Sequence, residues 1–177
     1  MVKLSYNKGG NNIGKRGNVM LQEYRNILVP MDGSDEAELA LAKAIAVAKR
    51  NQAHIDLLNI LDTKQYSYNY AGLIDGDVIY KMSEDAQDYL EGIVKRAKEK
   101  DGFTDITIHV RFGSPKTVIA QDFPAEHHND LIMIGATGLN AVERVLVGSV
   151  TEYVNRHALP DVLVVKTELD NHQILGK

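Results

Sequence analysis

Four consecutive apolar residues, Leu131-Ile-Met-Ile134, run directly into Gly135. A run without polar alternation must be buried on both faces, which predicts a central strand of a parallel sheet. Shorter apolar runs recur along the chain with helical patterns between them. Ile27-Leu-Val-Pro-Met31 reads as a first strand, with Pro30 near its end where a missing N–H is tolerable. Asp32-Gly-Ser-Asp35 forms a turn and cap, and Ala37, Ala40, Leu41, Ala44 and Ala48 fall on one helical face. A second strand is predicted over 54–61 and a helix over 80–100, stopped by Gly102. Ile106, Ile108 and Val110 alternate with Thr107 and His109, as at a sheet edge. Ser114-Pro115 opens a helix running toward His127, with Ser114 as the capping hydroxyl. A strand over 130–134, a helix over 150–158 and a strand over 162–166 complete the pattern. Strands alternating with helices predict a single-domain α/β fold, an open, mostly parallel sheet with helices on both faces.

Composition narrows the function classes. The chain has 177 residues, which suits one domain, and no cysteine, so disulfides, thiol chemistry and zinc–sulfur sites are excluded. With no signal-peptide pattern and no run near the roughly 18 apolar residues of a membrane span, the expectation is a cytoplasmic protein away from membranes. A net charge of −4 argues against broad capture of nucleic acid but leaves a nucleotide site open. Residues 1–23 read as a flexible tail, 24–167 as the domain and 168–177 as a second tail. The stretch 62–79, with Tyr66, Tyr68 and Tyr70, reads as a long loop of lid or dimer-edge character.

Ligands of such sheets bind beyond the C-terminal strand ends, where strand order reverses. That places Pro30 and Asp32, Ile60 and Asp62, Gly135 to Gly138, and Gly148 to Thr151 around one pocket. Helix starts carry unpaired N–H groups and partial positive charge. Ser149 and Thr151 would add hydroxyl donors beside the Val150 N–H, and Gly135 and Gly138 would let the backbone approach a ligand. Spacing alone leaves two readings of these glycines open, a phosphate loop or a tight structural loop. Asp32 reads either as a ligand for magnesium or a ribose hydroxyl or as a turn residue, and Ser149 as a phosphate donor or a cap. Arg144, beside Glu143, is the cation nearest the glycine loop. His127-His128 does not read as a metal set, since adjacent residues at a helix end diverge; His54, His109 and His157 look scattered.

These residues resemble the universal stress protein family, in its nucleotide-binding branch. The resemblance covers about 24–166 and rests on Ile27-Leu-Val-Pro-Met-Asp-Gly-Ser34, Asn59-Ile-Leu-Asp62, Phe112-Gly-Ser-Pro115, Asp130-Leu-Ile-Met-Ile-Gly135, Gly148-Ser-Val-Thr-Glu-Tyr-Val154 and Leu159-Pro-Asp-Val-Leu-Val-Val165. Gly135, Gly138, Gly148 and Ser149 meet the family's ATP-motif spacing. The resemblance implies an adenine nucleotide alpha hydrolase-like fold with five strands in the order 3-2-1-4-5. It implies that Pro30, Asp32 and Ile60 line the base and ribose pocket. Ile134, Gly135, Thr137 and Gly138 would wrap ribose and phosphates, and Gly148, Ser149, Val150 and Thr151 would hold the phosphate chain. Thr137 stands where many members place histidine or arginine. The implied function is an ATP-binding regulatory stress-response protein with little or slow hydrolysis, holding ATP (or AMP or ADP) with Mg²⁺ near Asp32. It would dimerise through Val162-Leu-Val-Val165 and act on a regulatory protein partner. The alternatives are a nucleotide-independent dimeric interaction module, a weak nucleotide hydrolase using Asp32 or Asp62, and a nucleic-acid arm in the first 22 residues.

Overall fold

The computed structural model describes residues 23–62, 76–137 and 147–170. Five parallel strands lie in the order β3-β2-β1-β4-β5. They are β1 (Asn26–Pro30), β2 (His54–Leu61), β3 (Ile106–Phe112), β4 (Leu131–Gly135) and β5 (Asp161–Val165). The helices are α1 (Asp35–Asn51), α2 (Gly76–Asp101), α3 (Pro115–Thr117), α4 (Phe123–His127) and α5 (Ser149–His157).

The period-2 geometry of a strand sends alternate side chains to opposite faces. Leu131 and Met133 join Ile27, Val29, Ile55 and Leu57 in a core under α1 and α2. Ile132 and Ile134 join Leu28, Leu58, Val118, Phe123 and Val154 on the other face. All of β4 is therefore buried, which is why its sequence shows no alternation. At the edge, β3 buries one face in part, through Ile106, Ile108 and Val110.

Ser34 caps α1 by accepting from the Ala37 N–H at 3.1 Å, and the helix lays Ala37, Ala40, Ala44 and Ala48 on the sheet. Gly102 ends α2 at φ +62°, with its N–H on the Lys98 carbonyl, the left-handed glycine cap. The first turn of α2 begins at Gly76, inside the stretch read as loop. Its buried residues start only at Ala86, and Ile79 and Tyr80 are exposed, so the opening turns carry no apolar periodicity. The loop tyrosines Tyr66, Tyr68 and Tyr70 and the two tails, apart from residues 23 and 168–170, lie outside the described residues.

The helix expected from Ser114 to His127 departs from the regular pattern. Ser114 holds the cap position but makes no side-chain cap bond. Between α3 and α4, Val118–Asp122 winds as a π-helical turn. Pro124 explains it: with no N–H it cannot donate to Ala120 four residues back, and its ring crowds that carbonyl. The released Ala120 carbonyl accepts the Leu159 N–H at 3.0 Å instead.

The two halves of the sheet meet at β1 and β4. Asp130 precedes β4 rather than opening it, and its carboxylate accepts the N–H groups of Arg25 (2.6 Å) and Asn26 (3.1 Å). The β1–β4 ladder covers only Ile27↔Leu131 and Leu28↔Ile132, whereas the strands continue to Pro30 and Gly135. Beyond that short ladder lies the switch point, the ligand position in sheets of this topology. Among the described residues, no helix is long and apolar enough to cross a membrane.

Candidate functional site

A cleft of about 970 Å³ opens at the C-terminal ends of β1, β2 and β4. Every described residue expected at the site lines it: Pro30, Asp32, Ile60, Ile134, Gly135, Thr137, Gly148, Ser149, Val150 and Thr151. Gly138, Glu143 and Arg144 lie outside the described residues.

The floor is held open by bonds between strand ends. Met31 N–H donates to Leu58 O at 2.8 Å, and Asn59 Nδ2 donates to Met31 O at 2.7 Å. Asn59 thus fixes the β1 exit against β2, a role the sequence did not disclose. Asp32 follows at once, exposed, with Oδ1 accepting Ser34 N–H (3.0 Å) and Ser34 Oγ–H (2.6 Å). One carboxylate oxygen is therefore engaged in shaping the α1 entry.

The structure gives Gly135 a packing role and Gly148 the cap position of α5. Gly135 does not sit at positive φ. A Cβ there would meet Glu36 C and O at 2.8 Å and Glu36 Cβ at 2.9 Å. Gly135 is needed for close approach of β4 to the first turn of α1. Gly148 occupies the cap position of α5 at φ −61°, ψ 150°, and Ser149 is the first helical residue rather than the cap. The Gly148 N–H donates to Ala136 O at 2.9 Å, and the Ala136 N–H to Val165 O at 3.0 Å. These two bonds pin the α5 start against the ends of β4 and β5.

Thr151 also differs from expectation. It is buried, and its hydroxyl donates to Gly135 O at 2.9 Å. The proton expected to go to phosphate ties α5 to β4 instead. Thr151→Val should cost about 1–2 kcal/mol in urea unfolding by leaving that carbonyl unpaired, whereas Thr151→Ser, which keeps the hydroxyl, should recover most of the loss.

The wall contributed by α2 was missed in the sequence. Met82, Asp85, Ala86 and Tyr89 line the cleft. Burial pushes the Tyr89 hydroxyl pKa up, helped by the charges of Glu38 and Asp32 and opposed by Arg96 and the Gly33 backbone. Tyr89 is therefore a neutral donor across the biological pH range. Among the described residues the cleft lining holds three carboxylates, Asp32, Asp62 and Asp85, and no lysine, arginine or histidine. The groups in this part of the cleft suited to an anion are the backbone N–H groups opening α5, which have no partners within the helix. The apolar side chains of Pro30, Leu58, Ile60 and Ile134 offer a surface for a flat ring.

The sequence model of the universal stress protein family matches residues 23–166. The chain belongs to that family. A universal stress protein of Staphylococcus aureus (strain USA300) is 45% identical over 145 residues, covering 82% of this chain and 86% of that one. Among solved structures, the universal stress protein UspA of Lactobacillus plantarum superposes with a TM-score of 0.69 at 32% identity, over 82% of this chain and 99% of that chain. A universal stress protein solved in complex with cAMP gives a TM-score of 0.55 at 27% identity, over 81% of this chain and 98% of that one. The universal stress protein fold thus accounts for the strand order 3-2-1-4-5 and for the single α/β domain.

Proposed function

We propose that this universal stress protein binds ATP, or the shorter AMP or ADP, in the cleft at the β1–β4 switch point and acts as a regulatory protein with little or slow hydrolysis. The observation that carries the reading is the α5 start, Gly148 to Thr151, facing the same cleft as the apolar surface of Ile60 and Ile134. Adenine would lie on that surface and the phosphates at the helix N-terminus. A related protein captured with cAMP supports an adenine nucleotide as the ligand class. Asp32, at the exit of β1, suits a Mg²⁺ ion bridging to phosphate oxygens in a cleft whose described lining also holds Asp62 and Asp85.

Fast hydrolysis asks for a positioned base and strong charge stabilisation on the transferred phosphoryl group. The described lining offers carboxylates but no cationic side chain to stabilise the transferred phosphoryl group, which supports slow turnover. The test is acid release and mass spectrometry of nucleotide from freshly purified, undialysed protein. Copurifying adenine nucleotide is the expected result. Protein that emerges empty returns the reading to a nucleotide-independent interaction module.

The quaternary reading rests on the sheet edge. β5 ends the strand order, and Leu163 on it is 45% exposed. An apolar edge of this kind pairs with a second copy unless it is blunted by charge. Leu163→Lys should convert a homodimer into a monomer in sedimentation velocity; a wild-type chain that sediments as a monomer would contradict the dimer.

A further inference from the structure

At the opposite end of the sheet from the cleft, two strands, a helix end and the turn before β4 bring together side chains that looked scattered along the sequence. Asp56 of β2 is 5% exposed and lies within the core. His109 Nε2, on the neighbouring β3, is 2.8 Å from Asp56 Oδ1, and Asn129 Nδ2 donates to Oδ2 at 2.8 Å. His127, at the end of α4, stacks on Phe123 with centroids 3.9 Å apart and meets the His109 ring edge-on at 4.7 Å. One ligand atom from each of Asp56, His109 and His127 lies within 4.8 Å of the others. His54 Nε2 approaches the same Asp56 oxygen at 3.5 Å, while its Nδ1 is held at 2.7 Å by Asp105.

We propose that Asp56, His109 and His127 form a binding site for a divalent transition-metal ion of the zinc class, with His54 as a fourth, carboxylate-oriented ligand. Two imidazoles and a carboxylate suit borderline ions such as Zn²⁺ and Co²⁺ over the all-oxygen preference of Mg²⁺. Bonds of about 2.0–2.1 Å to a tetrahedral ion place ligand atoms roughly 3.4 Å apart. The Asp56, His109 and His127 atoms therefore need to contract by up to about 1.4 Å, and His54, outside that set, has further to move. The Asp105–His54 contact matches the second-shell arrangement that fixes the tautomer of a ligating histidine.

A purely structural network leaves the Asn129 amide oxygen unexplained. Asn129 is buried, and its Oδ1 has no hydrogen-bond partner among the described residues, although its amide nitrogen bonds Asp56. Such an orphan oxygen beside a buried carboxylate suits a cation or its bound water. Burial pushes the Asp56 carboxyl up, but hydrogen bonds from His109 and Asn129 and the imidazoles of His109 and His54 outweigh it, leaving the group below its ordinary value. Burial, then the charges of His109 and Arg111 against those of Asp56 and Glu126, lower the His127 pKa. The opposing group is Arg111, whose Nη2 lies 3.3 Å from His127 Nε2 and 2.8 Å from Glu126. Loading displaces this guanidinium from the ring and leaves it on Glu126.

The test is titration of chelator-stripped full-length protein with Zn²⁺ by calorimetry, and with Co²⁺ by visible absorption. One ion per chain and the intense d–d bands of a tetrahedral Co²⁺ site are expected. His127→Ala should weaken binding by about 100-fold or more while leaving the thermal melt of the metal-free protein nearly unchanged. Arg111→Ala should tighten it several-fold, a result that a hydrogen-bonding role for the cluster would not give. His157→Ala, on α5 and outside the cluster, should change nothing. Absence of saturable Zn²⁺ binding, or a site of equal affinity in His127→Ala, overturns the proposal.

Discussion

Gly135→Ala is expected to destabilise the protein by about 3 kcal/mol, the upper end of the usual cost of overpacking. The added methyl would come 2.8 Å from Glu36 C and O, and these are backbone atoms that cannot rotate away. Relief requires shifting the first turn of α1, and the alanine face of that helix is packed on the sheet without slack. For a domain of this size the loss corresponds to a melting temperature lower by roughly 6–12 °C. Gly92→Ala is the matched control. Within α2 its new Cβ meets only Arg96 Nη1 at 3.8 Å, so it should stabilise by about 0.5–1 kcal/mol through helix propensity. Equal melts for the two alanine variants would show that β4 and α1 do not approach as closely as described.

Gly148→Asp separates binding from stability. The cap position of α5 has extended backbone that an L residue adopts without strain, and glycine there provides no side-chain cap. Aspartate at a cap bonds the first helical N–H groups and complements the helix dipole, so stability should be unchanged or higher by about 0.5 kcal/mol. The same carboxylate would occupy the N–H groups assigned to phosphate and repel the phosphates themselves. Two unit charges about 4 Å apart near a protein surface interact by about 4 kcal/mol. Nucleotide affinity should therefore fall by roughly 100-fold or more, with the melt intact. Binding unaffected by Gly148→Asp would remove the α5 N-terminus from the site. Gly138→Asp probes the same loop from its other end.

The sequence made legible whatever depends on one element at a time. The unbroken apolar run of β4 announced a strand buried on two faces, the alternation in β3 announced an edge, and the alanine stripe of α1 announced close contact with a sheet. The convergence of strand ends then followed from topology, and all the described site residues do line one cleft. What escaped depends on partners far apart in sequence. The packing role of Gly135 was hidden, because nothing local reveals Glu36 against it, ninety-nine positions away. Thr151 looked like a phosphate donor until the Gly135 carbonyl stood beside it. The π-helical turn needed both Pro124 and the Leu159 N–H that takes the freed carbonyl. The histidines seemed scattered because His109 and Asp56 are neighbours only through the register Leu57↔Ile108, Leu58↔His109 of the β2–β3 ladder.

The central question for this protein is whether the cleft at the β1–β4 switch point holds an adenine nucleotide. The direct measurement is calorimetric titration of Mg²⁺–ATP into nucleotide-free full-length protein, alongside Gly148→Asp with a matching melt. Saturable binding of one nucleotide per chain, weakened by about two orders of magnitude in the variant, is the predicted result. No heat from the wild-type protein at millimolar nucleotide would contradict it and leave the family fold serving as an interaction surface alone.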